Sequence, residues 1–244
     1  FLTHHGTGDW SGRIVSLLPV TWVQDWPIPG EVLSQNIGTM KWDGKIPFKH
    51  TEKLSIKRSD DFDEDCLAPQ WQWNYQPRKD YFSLTERPGW LRLKAYRPLE
   101  TNNLLKAGNT LTQRTFRKQN NDVTIKMDIS NMQDGQKNGL CHFSSQHSAI
   151  GIVKEEDACY LEYRKNGNIT KGIQIHSEFV WFRTEWGMDG KSQYYYSLDG
   201  DNFLPFGEKY QLTWGNYRGD RIGIYCFNDK KETGSVDVDY CHYR

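Results

Sequence analysis

Hydrophobic and polar side chains alternate along many short segments after Ser59, and this period of two residues predicts β-strands. The pattern is clearest at residues 91–96 and 123–129. Successive side chains of a strand point to opposite faces of a sheet, so alternation leaves one apolar face that can be buried. Further runs of this kind lie at residues 151–153, 159–163, 172–175, 194–197, 221–225 and 235–240.

Turn-forming dipeptides separate these runs. Asn166-Gly167, Asp189-Gly190 and Asp199-Gly200 supply residues that tolerate positive φ, as tight hairpins require. No long stretch shows the period of an amphipathic helix. Because regularly spaced strands each bury one face, the pattern predicts an all-β fold, arranged as an antiparallel sandwich of two sheets.

The beginning of the chain has a weaker pattern. Apolar runs at residues 13–18 and 26–30 are interrupted by Pro and Gly and predict one or two strands. They hold too little apolar material for a core of their own. Residues 36–58 are mostly polar and typical of a linker. We therefore interpret the start as the edge of a larger domain and expect that the chain, which opens at Phe1, begins within a longer sequence.

Charge and hydropathy exclude two classes of partner. The chain has 31 basic and 31 acidic residues, a formal net charge of +0, and no dense Lys/Arg cluster. It therefore lacks the electrostatic surface that attracts a phosphate backbone, and nucleic acid is not an expected partner. Mean hydropathy is -0.80. No window approaches the roughly 18 consecutive apolar residues of a membrane span, so no membrane association is expected.

Neither the spacing of the cysteines nor a search for catalytic motifs indicates a function. Five cysteines at wide, irregular spacing predict small buried residues rather than a disulfide framework or a structural zinc. No GxSxG, HExxH or Walker motif occurs, and spacing alone pairs no two carboxylates across a sugar.

The acidic run from Asp60 to Asp65 has two interpretations. It is typical of a solvated loop, but carboxylates at the start of a sandwich also suit a hard cation. The first and last strands of a sandwich often lie side by side, so Asp61 would be joined there by Asp237 or Asp239. Calcium is the cofactor that such a site would hold.

Aromatic residues are unusually abundant, with 10 Trp, 13 Tyr and 11 Phe. The segments Trp71-Gln72-Trp73-Asn74-Tyr75 and Trp181-Phe182-Arg183-Thr184-Glu185-Trp186 place alternate rings on one face of a strand. Such rings either fill the core or lie exposed, where they can stack on sugars. The sequence leaves both interpretations open.

The chain contains a series of motifs whose order resembles that of a known enzyme family. The chain opens with His4-His5-Gly6-Thr7-Gly8-Asp9-Trp10-Ser11-Gly12-Arg13, followed by Leu18-Pro19-Val20-Thr21-Trp22 and Asp25-Trp26-Pro27-Ile28-Pro29-Gly30. Later motifs are Asp61-Phe62, Trp71-Gln72-Trp73-Asn74, Arg87-Pro88-Gly89-Trp90, Asn109-Thr110-Leu111-Thr112-Gln113-Arg114, Asp134-Gly135, Tyr196-Ser197-Leu198-Asp199-Gly200, Gly219-Asp220-Arg221-Ile222-Gly223 and Val238-Asp239-Tyr240. Together they resemble the C-terminal half of glycoside hydrolase family 43 enzymes of the β-xylosidase and α-L-arabinofuranosidase type.

The resemblance implies a division of the chain. Residues 1–33 would be the incomplete end of a five-bladed β-propeller catalytic domain, and residues 34–58 a linker. Residues 59–244 would form a concanavalin-like antiparallel β-sandwich of the jelly-roll type.

The resemblance also implies an activity. Family members remove terminal xylose or arabinose from xylan-type oligosaccharides with inversion, using two Asp and one Glu. Those residues belong to earlier propeller blades, so we expect no catalytic residue in this chain and no activity for it alone. Its expected partners are a xylo- or arabino-oligosaccharide, the rest of the propeller as the same or a separate chain, and a second copy in a homo-oligomer.

Four residues are predicted to bind substrate by their motif positions. Arg13 matches an arginine that binds sugar hydroxyls, and His4 matches a histidine near the propeller axis that in some members helps to hold calcium. Tyr217, and after it Trp214, would contribute an aromatic wall from a sandwich loop. Both rings could instead simply pack at a domain interface.

Two alternatives remain open at this point. A carbohydrate-binding module would bind xylan-like chains on one face of the sandwich without a propeller. A purely structural domain would bind no sugar. The resemblance fits cytoplasmic and secreted or periplasmic locations alike.

Overall fold

A computed structural model of the chain describes residues 2–4, 9–13, 15–39, 43–44, 55–215 and 218–244, with the backbone alone for residues 2–4 and 15–16. The chain divides into two compact units. Phe1–Gly8 and Arg13–Ile56 form the first unit, and Asp9–Gly12 and Lys57–Arg244 form the second. The second unit therefore includes a four-residue segment from the start of the chain.

The first unit consists of antiparallel strand pairs. Pro and Gly interrupt its strands and keep them short. The sequence predicts the change from propeller to linker between residues 33 and 34. Both residues lie within the strand Val32–Ser34, which is the first strand of a hairpin. The pairs are β1 (Leu2–His4) with β2 (Val15–Leu17), β3 (Val20–Val23) with β4 (Trp26–Pro29), and β5 (Val32–Ser34) with β6 (Ile37–Gly38).

The second unit contains the remaining strands. Single turns of 3₁₀ helix at Lys79–Tyr81 and Leu104–Lys106 interrupt them. The strands are β7 (Gln72–Trp73), β8 (Phe82–Ser83), β9 (Leu91–Lys94), β10 (Thr110–Arg114), β11 (Asn121–Asp128), β12 (Gln136–Phe143), β13 (His147–Glu155), β14 (Ala158–Lys165), β15 (Asn168–Ile175), β16 (Phe179–Trp186), β17 (Lys191–Ser197), β18 (Leu204–Pro205), β19 (Tyr210–Gln211), β20 (Arg221–Asn228) and β21 (Ser235–Tyr243).

These strands form two antiparallel sheets. Sheet I has the order β15-β14-β13-β12-β20-β10-β7. Sheet II has the order β18-β17-β16-β11-β21-β9-β8, with β19 also paired to β17. The predicted all-β antiparallel sandwich is confirmed. Within the described parts of the chain, no helix is long and apolar enough to span a membrane.

Alternating burial explains why the sheets stack. In β16, the inward Val180, Phe182 and Trp186 are buried, whereas the outward Trp181 and Arg183 are half-buried. Side chains of both sheets meet in one apolar cluster, to which sheet I contributes Leu140, Ile150 and Ile224 and sheet II contributes Ile125, Met127 and Val238. Burial of this cluster from water is the main contribution to the stability of a sandwich.

A second, smaller core covers part of the outer face of sheet I. Leu104 and Ala107, from the segment between β9 and β10, pack with Phe143, Tyr225 and Phe227. Leu104 begins a 3₁₀ turn whose preceding residue, Asn103, accepts a hydrogen bond from the Leu105 amide. Residues 99–109 therefore form a cover over part of the outer face of this sheet.

Cysteine burial follows the prediction only in part. Cys141, Cys226 and Cys241 are buried, Cys159 is half-buried and Cys66 is exposed. All five thiols are free. The prediction of small buried residues is wrong for Cys66, because it lies in the exposed part of the acidic segment before β7.

Candidate functional site

The loop between β19 and β20, residues 212–220, carries both aromatic residues that the sequence selects. Trp214 is half-buried, and its carbonyl accepts a hydrogen bond of 3.0 Å from Ser145 Oγ. Tyr217 lies outside the described residues. The Arg218 amide donates to the Gly215 carbonyl at 3.1 Å.

Asp220 fixes this loop to the sandwich. The residue is 0% exposed, and its Oδ2 accepts a hydrogen bond of 3.1 Å from the Thr213 amide. Its own amide donates to the Trp10 carbonyl at 2.6 Å, and its carbonyl accepts from Thr115 Oγ1 at 2.6 Å. One buried residue therefore holds the 212–220 loop, the segment Asp9–Gly12 and the end of β10 together.

His142 on β12 faces the other oxygen of Asp220. Its Nδ1 lies 3.3 Å from Asp220 Oδ1, and its Nε2 lies 3.0 Å from Thr184 Oγ1. Neither Nδ1 nor Oδ1 has another partner in the described part of the chain. Since a buried carboxylate needs a donor, we place a proton on Nδ1, and the histidine then orients Asp220.

Aromatic residues surround His142 and exclude water from the pair. Trp186 meets the imidazole edge to face with ring centroids 5.2 Å apart, and Tyr210 stacks on it at 6.1 Å. Burial, with a further contribution from the Asp220 charge, raises the pKa of Tyr210 above its usual value. Its phenol is therefore protonated at neutral pH. The arrangement is a rigid support for the loop, since His142, Asp220 and Tyr210 are all buried.

The segment Asp9–Gly12 is anchored on the same edge of the sandwich. Trp10 is buried in the main apolar core, and a Cβ placed on Gly190 would lie 2.5 Å from its Nε1. Gly219 has φ +77°, and a Cβ there would lie 2.5 Å from the Gly12 amide nitrogen. These two glycines let the segment approach the sandwich closely.

Asp9 closes this segment into a turn. Its Oδ1 accepts hydrogen bonds from the Ser11 amide at 2.8 Å and Ser11 Oγ at 2.6 Å, and its Oδ2 pairs with Arg117 Nη1 at 2.5 Å. Partial burial acts to raise the pKa of Asp9, but the Ser11 hydrogen bonds and the Arg117 charge outweigh it and lower the pKa. The carboxylate therefore stays ionised and holds the turn.

Arg13 and His4, the other predicted substrate residues, belong to the first unit. Arg13 is half-buried and follows Gly12 directly in the chain. His4 ends β1, where it pairs with Val15, and its side chain lies outside the described residues. The roles of both residues stay predictions.

The acidic residues expected near a cation have protein partners. Asp61 Oδ1 lies 2.7 Å from His242 Nε2, and Asp239 Oδ2 lies 2.7 Å from Lys126 Nζ. Among the residues the structure describes, no group of three or more His, Cys, Asp or Glu could hold a metal ion. Calcium binding, which also involves the undescribed His4 side chain, stays a prediction.

The tryptophan motifs divide between core and surface. Trp71 is buried and donates to Asp60 Oδ2 at 2.7 Å, and Trp73 packs on Phe82 with centroids 4.8 Å apart. Trp186 is in the core, while Trp181 faces outward and donates to the Tyr240 hydroxyl at 3.2 Å. The two tryptophans of the first motif are therefore structural, whereas its Tyr75 is exposed. The second motif has a single outward tryptophan.

Sequence reasoning did not find His142 or the anchoring role of Trp10 and Asp220. His142 was one of seven dispersed histidines. Trp10 and Asp220 did carry a signal, since each lies in a Gly-Asp motif used for the resemblance, at Gly8-Asp9-Trp10 and Gly219-Asp220-Arg221. Nothing in their spacing indicated that these two motifs are in contact.

Comparison with known proteins identifies close similarities. The family model for the β-xylosidase C-terminal concanavalin A-like domain matches residues 59–244. A β-xylosidase of Formosa agariphila is 35% identical over 253 aligned residues, which cover 95% of this chain and 43% of the relative. The α-L-arabinofuranosidase BoGH43B of Bacteroides ovatus, described as acting at the non-reducing end, is 34% identical over 91 residues, which cover 34% of this chain and 15% of that protein.

Solved structures share the fold. A bifunctional GH43-CE protein of Bacteroides eggerthii superposes with a TM-score of 0.79 and 28% identity, covering 97% of this chain and 31% of that chain. The chain thus spans less than half the length of the β-xylosidase relative and about a third of this solved chain.

Proposed function

Because the chain belongs to the family of β-xylosidase C-terminal concanavalin A-like domains of glycoside hydrolase family 43, we propose that it is the C-terminal portion of an exo-acting glycosidase. The substrates are oligosaccharides derived from xylan or arabinoxylan, and the enzyme releases a terminal xylose or arabinose with inversion. The names of the two relatives, a β-xylosidase and a non-reducing-end arabinofuranosidase, support this substrate class.

The observation that carries the proposal is the anchoring of the 212–220 loop by Asp220. The same residue binds the carbonyl of Trp10, three residues before Arg13. In the family that the sequence resembles, the corresponding loop reaches the sugar pocket. A loop that is fixed to a rigid sandwich positions an aromatic wall more accurately than a free loop does.

Each of the four candidate residues of this chain then has a binding role rather than a proton-transfer role. Trp214 and Tyr217 form an aromatic wall that excludes water and stacks on the sugar as charge develops in the transition state. Arg13 donates hydrogen bonds to sugar hydroxyls, and His4 contributes to the same subsite or to a calcium ion. The acid, the base and the orienting Asp are supplied by other propeller blades.

Exposed apolar side chains on the first unit support a propeller partner. Trp22, Trp26 and Leu33 are exposed, with Trp26 at 71%. Large exposed apolar side chains grouped on neighbouring hairpins are typical of a surface that another part of a protein covers. The rest of the propeller, in the same or a separate chain, is the proposed cover, and a homo-oligomer is a further expectation.

The carbohydrate-binding module is the weaker alternative as a main function. A flat sugar-binding face needs a row of exposed rings, but Trp71 is buried and Trp73 packs on Phe82. The two motifs leave only Tyr75, which is exposed, and Trp181 on the outer face of sheet II. The purely structural domain differs from the proposal in one respect, because it requires no contact between Trp214 and substrate.

A hybrid enzyme tests the proposal. The N-terminal part of the Formosa agariphila β-xylosidase is joined to this 244-residue chain, and hydrolysis of nitrophenyl β-xyloside and α-arabinofuranoside is compared between the hybrid and the chain alone. We expect turnover by the hybrid, inversion seen by NMR of the released sugar, and no turnover by the chain. Hydrolysis by the chain alone, or an inactive hybrid that has a cooperative thermal transition, would contradict the proposal.

A further inference from the structure

A groove of about 900 Å³ crosses the outer face of sheet I, away from the 212–220 loop. On β14, Leu161 and Tyr163 belong to the core between the sheets, so the alternating Tyr160, Glu162 and Arg164 point to the opposite side. All three of these residues line the groove. The lining of the groove includes Asn102, which belongs to the cover formed by residues 99–109.

The groove contains a buried ion pair. Glu162 is 5% exposed and Arg164 is 2% exposed, and Arg164 Nε donates to Glu162 Oε1. Arg164 Nη1 donates to Asn102 Oδ1 at 2.7 Å. Burying two charges on the outer face of a sheet is unfavourable unless their remaining donors and acceptors are satisfied. The pair therefore requires partners for every polar atom.

One atom of this pair has no such partner. Arg164 Nη2 is buried and makes no hydrogen bond in the described part of the chain. The buried pair thus leaves one donor unused, which the oxygen of a sugar hydroxyl can satisfy.

The wall of the groove is held in place by a polar network. The Asn102 amide donates to Asp229 Oδ1 at 2.8 Å, and Lys137 Nζ donates to Asn102 Oδ1 at 3.0 Å and also pairs with Asp229. Asn102 has φ +61°, a backbone conformation that these contacts stabilise. A wall fixed in this way is preorganised for a ligand.

The other side of the groove offers apolar surface beside polar groups. Lys171 Nζ lies 3.6 Å from the centroid of the half-buried Tyr160 ring and bonds Glu155 Oε2 at 2.6 Å. Ile169, which is exposed, lines the groove next to them. An aromatic ring, an aliphatic stem and fixed polar groups together match the C–H face and hydroxyl edge of a pyranose.

Charge indicates which class of ligand fits. Five basic and five acidic side chains line the groove, so its formal charge is balanced. The buried Arg164 is already neutralised by Glu162. A ligand carboxylate or phosphate would add an uncompensated charge beside a buried carboxylate, whereas a neutral hydroxyl would not. Neutral sugars therefore fit better than charged ones.

We propose that this groove is a binding site for a neutral oligosaccharide, separate from the site at the 212–220 loop. The choice of a xylan chain as the ligand rests on the proposed function, but the groove itself requires only neutral hydroxyls. In the whole enzyme such a site would hold a polymeric substrate on the sandwich while its end is cleaved elsewhere.

Calorimetric titration of the 244-residue chain with xylotetraose, cellotetraose and mannotetraose tests the site without any need for turnover. We expect binding of at least one of them, weakened at least about tenfold by Tyr160→Ala and by Glu162→Gln. Tyr195→Ala is the matched control, because Tyr195 is a half-buried tyrosine on the outer face of sheet II. Thermal unfolding identifies any variant that fails to fold.

Three outcomes would overturn the proposal. They are the absence of binding by all three sugars at millimolar concentration, equal binding by the wild type and both groove variants, and tighter binding of a glucuronic acid-substituted xylo-oligosaccharide than of the unsubstituted chain. The hybrid enzyme is an independent measurement, so an inactive hybrid with sugar binding retained would reject the proposed function and leave the groove supported.

Discussion

At the scale of single residues, buried polar groups determine where the loop at the candidate site lies. Asp220 bonds the Thr213 amide and the Trp10 carbonyl, and His142 faces its second oxygen. Local sequence pattern does not indicate this pair. Residues 142 and 220 are far apart in the chain, and a buried His or Asp has no periodic pattern that identifies its partner.

Two substitutions of Asp220 should separate its electrostatic contribution to stability from its hydrogen-bonding contribution. Asp220→Ala removes the acceptor for Thr213 and leaves Nδ1 of His142 unpaired, so we expect a loss of about 3 kcal/mol in the free energy of unfolding. Asp220→Asn keeps an acceptor for Thr213, and its amide can donate to Nδ1 of His142 once the ring proton moves to Nε2, so its loss should be no more than about half as large. Urea denaturation of both variants measures the difference. Equal losses would show that the charge of Asp220, and not its acceptor for Thr213, stabilises the anchor.

His147 gives the stability a dependence on pH. Burial, and then the charge of Arg164, lower the pKa of His147 from 6.5 to about 4. The unfolded chain therefore binds this proton at higher pH than the folded chain, so stability is retained above pH 6.5 and falls as the pH decreases toward 4. A full shift of this size corresponds to about 3 kcal/mol.

The control for this pH dependence is His147→Gln, which has no proton to bind in this range. We expect the difference in unfolding free energy between wild type and variant to change between pH 7 and pH 4, with the wild type losing more stability. Urea titrations at several pH values measure it. Parallel pH profiles for the two proteins would mean that His147 titrates normally in the folded state.

At the scale of secondary structure, alternation along the strands is the property that the sequence predicts well. In β16 it distinguishes the outward Trp181 from the inward Phe182 and Trp186. It fails on the outer face of sheet I, where Glu162 and Arg164 occupy alternate, nominally exposed positions of β14 but are buried. Their burial depends on residues 99–109, a connection without a period, so local pattern could not predict it.

Local sequence pattern also could not predict the contact between Gly12 and Gly219. Substitutions at Gly219 can test this contact. Gly219→Ala adds a Cβ at φ +77° that would lie 2.5 Å from the Gly12 nitrogen. Gly167→Ala is the matched control, because Gly167 has φ +91° and nothing within 4 Å of the added Cβ. Both variants carry the backbone strain, and only the first carries the clash.

We therefore expect Gly219→Ala to destabilise the chain by about 1–3 kcal/mol more than Gly167→Ala does, which is the usual cost of overpacking. Thermal and urea unfolding measure this difference, and tryptophan fluorescence reports whether Trp10 becomes more solvated. If the two variants lost the same stability, Asp9–Gly12 would not be held close to Gly219 in solution.

At the scale of the whole molecule, the chain combines a two-sheet sandwich with a shorter unit. The exposed hairpins of the shorter unit are typical of a surface that is covered by another part of a protein. The fold class and the family could be predicted because many weak motifs occur in the expected order. The roles of Arg13, His4 and Tyr217 stay predictions, and the side chains of His4 and Tyr217 lie outside the described residues.

The central claim is that the 212–220 loop lines a sugar pocket, and kinetics of the hybrid enzyme test it most directly. We expect Trp214→Ala to lower kcat/KM for the pentoside at least about tenfold, equivalent to about 1.4 kcal/mol of transition-state stabilisation, with the thermal transition unchanged. Trp181→Ala, which removes the outward tryptophan of sheet II, is the matched control and should leave kcat/KM unchanged. An unchanged kcat/KM in a folded Trp214→Ala hybrid would contradict the account and assign the loop a purely structural role.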